Sequence, residues 1–290
     1  MTSVLVTSAR GSNGHGYGAV LQFAADGTLL GPFSRDGRIS DPRGLTWDPT
    51  GELVYVNSGD NRVLALDRRG DVVLDSGRIE GLDPGGALFG PDGRYYLGLR
   101  HRRTILALPA RLDRAGEAIL PDEVVPFPRG FAFGASGELY LASGVGPSGE
   151  GENTIAVFED GGSLRTSRLV DDEELSPLDL VVAPNGNILV SSEWPFGAPN
   201  AICTVREYDR STGLLVRVFE PESGLGFAKP RGLRFGADGR LYCVGQDHVI
   251  AFDFLAGTSV GVVARLPRLT GQALVLWDGG PSPARRSTSR

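Results

Sequence analysis

The chain has 290 residues, 41% of them hydrophobic and 22% charged, and 29 Lys and Arg against 35 Asp and Glu leave a net charge of −6. That balance argues against broad electrostatic binding of nucleic acid or acidic membranes. The two cysteines cannot build a disulfide framework or a Cys-rich zinc site, and no charge-free apolar run approaches the ~20 residues that span a bilayer.

The 42 Gly and 19 Pro, about a fifth of the chain, suit a turn-dense all-β protein. The first residues carry neither a basic start nor a cleavable apolar core, so the expectation is a cytoplasmic protein with free thiols. In chain order, residues 4–8 read as a strand. A Gly-rich connection from Ser8 to Gly18 follows, carrying Asn13, His15 and Tyr17. Residues 19–23 and 28–31 supply two more strands.

A repeat then begins. Segments starting at Pro42, Pro84, Pro128, Pro177 and Pro230 share a Pro, an alternating apolar run, a turn Gly and a second apolar run; the prolines are 42, 44, 49 and 53 residues apart. Each segment reads as a hairpin, and each is followed by one or two further strands, such as 63–66, 155–158 and 249–252. Four strands in roughly 40–50 residues is one propeller blade. The last stretch, Gly271 to Gly279, matches a first strand, and residues 4–8 match a second. The predicted fold is therefore all-β, a six-bladed propeller of four-stranded blades closed by pairing N-terminal strands with a C-terminal inner strand. The blades are expected at about 42–83, 84–127, 128–176, 177–229 and 230–270, with a split blade from 271–279 plus 1–41 and a flexible tail at 280–290.

The run Pro42-Arg43-Gly44-Leu45 through Gly51 to Asp67 resembles NHL-repeat propellers, and weaker matches at Pro128, Pro177 and Pro230 carry the resemblance over essentially the whole chain. It implies a six-bladed fold related to the gluconolactonase and senescence-marker-protein lactonases and the streptogramin lyases. Other propellers of this kind are RNA- or protein-binding scaffolds, so the resemblance leaves the activity open.

In such a ring the residues after the repeat prolines face the channel mouth: Arg43, Gly85, Arg129, Leu178, Arg231 and Gly271. Three arginines on alternate blades read either as an anion clamp, since guanidinium forks suit carboxylates and phosphates, or as a repeat spelling with each Arg paired to a neighbouring blade. Tyr17, Glu193, Trp194, Phe196 and Gln272 are the other candidate ligand-binding residues. Of these, Trp194 and Phe196 fall in a long connection, Ser192 to Asn200, where polar residues are the rule.

The candidate proton carriers are Asp179 and three histidines, His15, His101 and His248, each expected in a different inter-strand loop. In the lactonase relatives Asn and Asp at the inner-strand entries help hold a divalent metal. Here those positions hold Arg, Gly or Leu, which disfavours a metal site, and no cofactor motif is present. The acidic run Asp171 to Glu174 reads as a solvated connector, and Cys203 and Cys243 as small buried hydrophobes. The expectation is a propeller that binds a small organic anion at the channel mouth, with metal-independent lyase or hydrolase chemistry as its possible activity. The alternative is a non-catalytic scaffold that uses the same face for a protein or peptide.

Overall fold

The structure is a computed structural model that describes residues 3–10, 16–82, 84–120, 125–145, 149 and 151–277. The sixth blade opens the chain with β1 (Ser3–Ser8), β2 (Ala19–Phe23) and β3 (Leu29–Pro32). Blade one is β4 (Leu45–Trp47), β5 (Val54–Ser58), β6 (Arg62–Leu66) and β7 (Val72–Asp75). Blade two is β8 (Pro84–Phe89), β9 (Tyr95–Leu99), β10 (Thr104–Leu108) and β11 (Glu117–Ala118). Blade three is β12 (Pro128–Phe133), β13 (Leu139–Ser143), β14 (Thr154–Phe158) and β15 (Leu164–Thr166). Blade four is β16 (Pro177–Val182), β17 (Ile188–Trp194), β18 (Ile202–Tyr208) and β19 (Leu215–Phe219). Blade five has β20 (Leu233–Phe235), β21 (Arg240–Val244) and β22 (Gln246–Asp253), and takes its outer strand from the 20-residue β23 (Thr258–Trp277).

That last strand serves two blades. Its first half pairs with β22, through contacts such as Val249 with Ala264, while its second half, Gly271 to Trp277, pairs antiparallel with β1. The result is a single seven-stranded sheet, β20-β21-β22-β23-β1-β2-β3, beside four sheets of four strands. The ring is thus closed by the two ends of the chain, as the repeat arithmetic anticipates. The Trp47 indole N–H adds a clasp by donating to the Leu276 carbonyl, 2.9 Å away.

The core follows from this layout. Every blade is covered on both faces, so the second strands β5, β9 and β13 are buried along their whole length and read as continuous apolar runs. Buried side chains gather in six clusters, one between each pair of neighbouring blades. Leu5 and Val275 meet Leu45 and Val56 across the closure, for example, and Tyr140 and Ile155 meet Leu180 and Val190 between blades three and four.

The inner strands converge on the channel, which explains the Gly of the Pro-Arg-Gly spelling. A Cβ on Gly130 would lie 2.5 Å from the Asp179 Cα, and one on Gly232 would lie 2.7 Å from the Ala273 Cα. Neighbouring backbone comes that close, with the Asp179 carboxylate beside it at Gly130, and no side chain fits between. At the entries to β12 and β16 the register shifts, between Pro128 and Phe131 and between Pro177 and Asp179. Such bulges re-aim side chains, and these fall at Arg129 and Leu178, two of the predicted ring positions.

Several local expectations are corrected. His248 is not in a loop: β22 begins at Gln246, and His248 is only 3% exposed within it. Trp194 is the last residue of β17, because that hairpin runs two pairs further than its neighbours, through Glu193 with Cys203 and Trp194 with Ile202. The acidic run is an anchor rather than a wholly solvated connector. The buried Arg206 guanidinium donates to Asp172 (2.8 Å) and Glu174 (2.7 Å), and the Tyr208 hydroxyl also donates to Asp172. Both cysteines are buried. His15 and the tail at 280–290 lie outside the described residues.

Gly130→Ala should lower the unfolding free energy by about 1–3 kcal/mol, because both the Asp179 backbone and its buried carboxylate would have to give way. Gly37→Ala, where an added Cβ meets nothing within 4 Å, is the control expected to change little in the same denaturant titration.

Candidate functional site

The start of every inner strand opens onto one cavity of about 900 Å³ at the end of the channel: Arg43 to Leu45, Gly86 and Ala87, Arg129, Leu178 and Asp179, Arg231, and Gly271 to Ala273. Residues from the second-to-third-strand connections and strand ends complete the wall, among them Arg10, Arg100, Val145, Trp194 and Phe196. The ring arginines on blades one and five are held through their backbones by hydroxyls of the preceding blade. Thr7 Oγ1 donates to the Arg43 carbonyl at 2.9 Å, and Ser191 Oγ to the Arg231 carbonyl at 3.0 Å. Their side chains are therefore positioned by the packing of one blade on the next.

In a protein of net charge −6, this cavity is lined by six arginines and a lysine, Lys229, against a single carboxylate, Asp179, among the described residues. Arg43 pairs with Asp41 and Arg234 with Asp179, each at 3.3 Å. Arg129 and Arg231 form no ion pair among the described residues, and the Nε of each is buried without a hydrogen-bond partner. Arg129 is only 7% exposed, and among the described residues its guanidinium makes one long hydrogen bond, 3.5 Å to the Val145 carbonyl.

Aromatic faces take the place of acids. The Arg129 guanidinium lies 5.4 Å from the Phe127 ring centroid and 4.5 Å from that of Phe196. Arg100 shares Phe127 at 5.8 Å, and Arg231 shares Phe196 at 5.7 Å. Three cations and two rings alternate along one wall, each ring offering its negative faces to two guanidiniums.

The electrostatics follow. Burial, reinforced by Arg231 and Arg100, lowers the pKa of Arg129 from its ordinary value to about 10, with Glu193 opposing. Burial lowers that of Arg231 as well; Glu193 opposes this, while Arg100 and Arg43 add to it. The contrast is Arg206, where burial also works against the cation but Glu174 and Asp172 more than offset it and raise its pKa. Asp179 moves the other way. Burial raises its pKa despite the Arg234 guanidinium and the Leu233 N–H, which donates to Asp179 Oδ2 at 3.0 Å.

The structure thus gathers Arg43, Arg129, Arg231, Asp179, Trp194, Phe196 and Gln272 around one cavity. Tyr17 stands outside it, largely exposed, with its hydroxyl donating to the Pro267 carbonyl. Glu193 is buried behind the wall, where it acts on Arg129 and Arg231 through its charge. His101 lies in an exposed turn and His248 inside β22, its Nδ1 3.2 Å from the Gln246 carbonyl oxygen; neither lines the cavity.

Arg100, Arg234, Phe127 and Lys229 are additions that sequence reasoning passed over. Phe127 and Lys229 each directly precede a repeat Pro, a position that recurs in the lining as Ser176 and offered a usable signal. The donor set does not suit a hard divalent cation. Asp179 is the one carboxylate in the lining among the described residues, and it is already engaged by Arg234 and the Leu233 amide.

No protein-family model matches the chain, and no curated protein matches it in sequence. Solved structures do. A chain of a nidogen/laminin complex superposes with a TM-score of 0.73 at 14% identity, covering 96% of this chain and 98% of that one. A protein assigned as a gluconolactonase gives 0.62 at 20% identity, over 83% and 82%. Virginiamycin B lyase from Staphylococcus aureus gives 0.53 at 15% identity, over 74% and 67%. The likeness is one of fold. It joins a chain of a protein complex, a protein assigned as a gluconolactonase and a lyase, so function has to be argued from the site.

Arg129→Met should stabilise the ligand-free protein. The charged guanidinium is disfavoured by the fold at every pH below its lowered pKa of about 10, and the penalty fades only as the pH rises through that value. After the lost ring contacts are discounted, a gain of about 1–2 kcal/mol is expected at pH 7. It should shrink above pH 10, as read from denaturant midpoints at both pH values.

Proposed function

We propose that this propeller binds a small organic anion in the channel mouth, with Arg129 and Arg231 holding its charged group. The observation that carries this reading is Arg129 itself, a guanidinium more than nine-tenths buried and without an ion-pair partner among the described residues. The same fold gives its other deeply buried arginine, Arg206, two carboxylates. A buried cation left without an anion is costly, and a bound anion supplies the missing partner where guanidinium forks are well suited to accept it. Trp194, half-buried in the wall, and Phe196 provide apolar surface for the rest of the molecule.

The concave, 900 Å³ site with Trp194 drawn into its lining favours a small molecule over a flat protein-docking face. Proton chemistry there falls to Asp179, whose raised pKa keeps it protonated further toward neutrality than an ordinary carboxyl. In a lyase or hydrolase step Asp179 would be the acid, and Asp179→Asn would then abolish turnover while sparing binding.

The test is a thermal-shift screen of carboxylates, phosphates and lactones, with and without chelator, on the wild type and on Arg129→Met. At 100 times its dissociation constant an anion should stabilise the wild type by ~2.7 kcal/mol, with chelator making no difference and the ligand-induced shift lost in the variant. The absence of any shift, or one abolished by chelator, would overturn the reading.

A further inference from the structure

The cavity says more about its ligand than its sign. Resting on the anion-binding reading above, we propose that the ligand carries at least two negative charges, a polyanion of the phosphomonoester or polycarboxylate class on a planar frame, rather than a simple monocarboxylate.

The first argument is charge balance. An aromatic ring offers a cation a quadrupole, not a net charge, so the stacking of Arg129 and Arg231 on Phe196 leaves both formal charges in place. The carboxylate that acts on both is Glu193. Asp41 and Asp179 are taken by Arg43 and Arg234. One acid thus answers two arginines, and Lys229 adds a further cation to the lining with no ion pair among the described residues. Among the described residues at least two positive charges remain uncompensated. A monoanion would leave at least one of these charges unanswered and the guanidiniums still repelling one another, whereas a dianion answers both.

The second argument is arrangement. The cations do not meet at a point. They are strung out along the wall as Arg100, Arg129 and Arg231, separated by Phe127 and Phe196. A single carboxylate, with two oxygens on one carbon, reaches one or two of these groups. A phosphate with three terminal oxygens, or two carboxylates on one frame, reaches more of them without moving the protein.

The frame is addressed by Trp194. It lines the cavity, yet its indole makes no ring–ring or cation–ring contact among the described residues, while the neighbouring rings of Phe127 and Phe196 are already engaged by guanidiniums. Its face is left for a planar group.

The experiment is isothermal titration of the full chain with a charge series on one frame at constant ionic strength: benzoate, isophthalate, phenyl phosphate and benzene-1,3,5-tricarboxylate. Affinity should rise at least tenfold from benzoate to isophthalate or phenyl phosphate, and the tricarboxylate should bind no more weakly than isophthalate. In Arg231→Gln the step from mono- to dianion should flatten to threefold or less. In Arg240→Gln, an exposed position outside the cavity lining, it should persist.

Benzoate binding as tightly as the dianions would overturn this proposal while leaving the anion-binding reading intact. No binding by any of the four would overturn both. A step that survives in Arg231→Gln, or that flattens equally in Arg240→Gln, would overturn the assignment of the charges to this wall. The wild-type series decides the central claim even if Arg231→Gln fails to fold.

Discussion

The pairing of β1 with the second half of β23 is the constraint on which the remaining architecture rests. A propeller blade cannot bury both its faces alone, and each of the six core clusters lies between two blades. Without the closing pair, blades six and one would each expose an apolar face and the seven-stranded sheet would be cut in two. Closure also fixes how near the inner strands come to the axis, and with it the rule that Gly130 and Gly232 carry no side chain. The cavity at the mouth is a by-product of that geometry. Its floor is inner-strand backbone and its wall is whatever the bulged entries and strand ends project into it.

What they project is a concentration of positive charge that the chain as a whole does not predict. The arrangement is tolerable because two phenylalanine rings are interleaved with three guanidiniums and because Glu193 lies behind them. It is not a stability device. Arg206 shows how this fold neutralises a buried arginine when stability is the end, with Asp172, Glu174 and an ordered connector. Arg129 is denied that treatment and pays in a lowered pKa, the pattern expected where stability is given up for function.

The architecture was legible because its signals are local. A Pro, a turn Gly such as Gly137 or Gly186 held at φ 86°, and a period-2 apolar run define each hairpin within ten residues. The ring arginines were legible for the same reason, since the bulge that aims Arg129 into the channel directly follows a repeat Pro. Strand ends were less so. Trp194 and His248 carry no loop-versus-strand signal of their own: the β17–β18 hairpin runs on to pair Trp194 with Ile202, and β23 pairs Arg265 with His248, and backbone pairing leaves no trace in side-chain type. Arg100, Arg234 and Phe127 belong to the wall only because separate blades bring them together, and pattern along the chain cannot show that convergence. Tyr17 had the chemistry of a ligand contact but is held at the surface by the Pro267 carbonyl.

The shared strand β23 also has a bearing on how the protein is made. Strand β1 leaves the ribosome first among the described strands, while its inner partner, Gly271 to Trp277, leaves last. Throughout synthesis β1 to β3 form a fragment of blade with one side unpaired and no neighbour on the closing face. Blades one to four can assemble from hairpins as they emerge, but the ring is sealed only by a contact spanning almost the whole chain, the kind whose closure is slow. Up to that moment an interior strand of the finished molecule is an open edge.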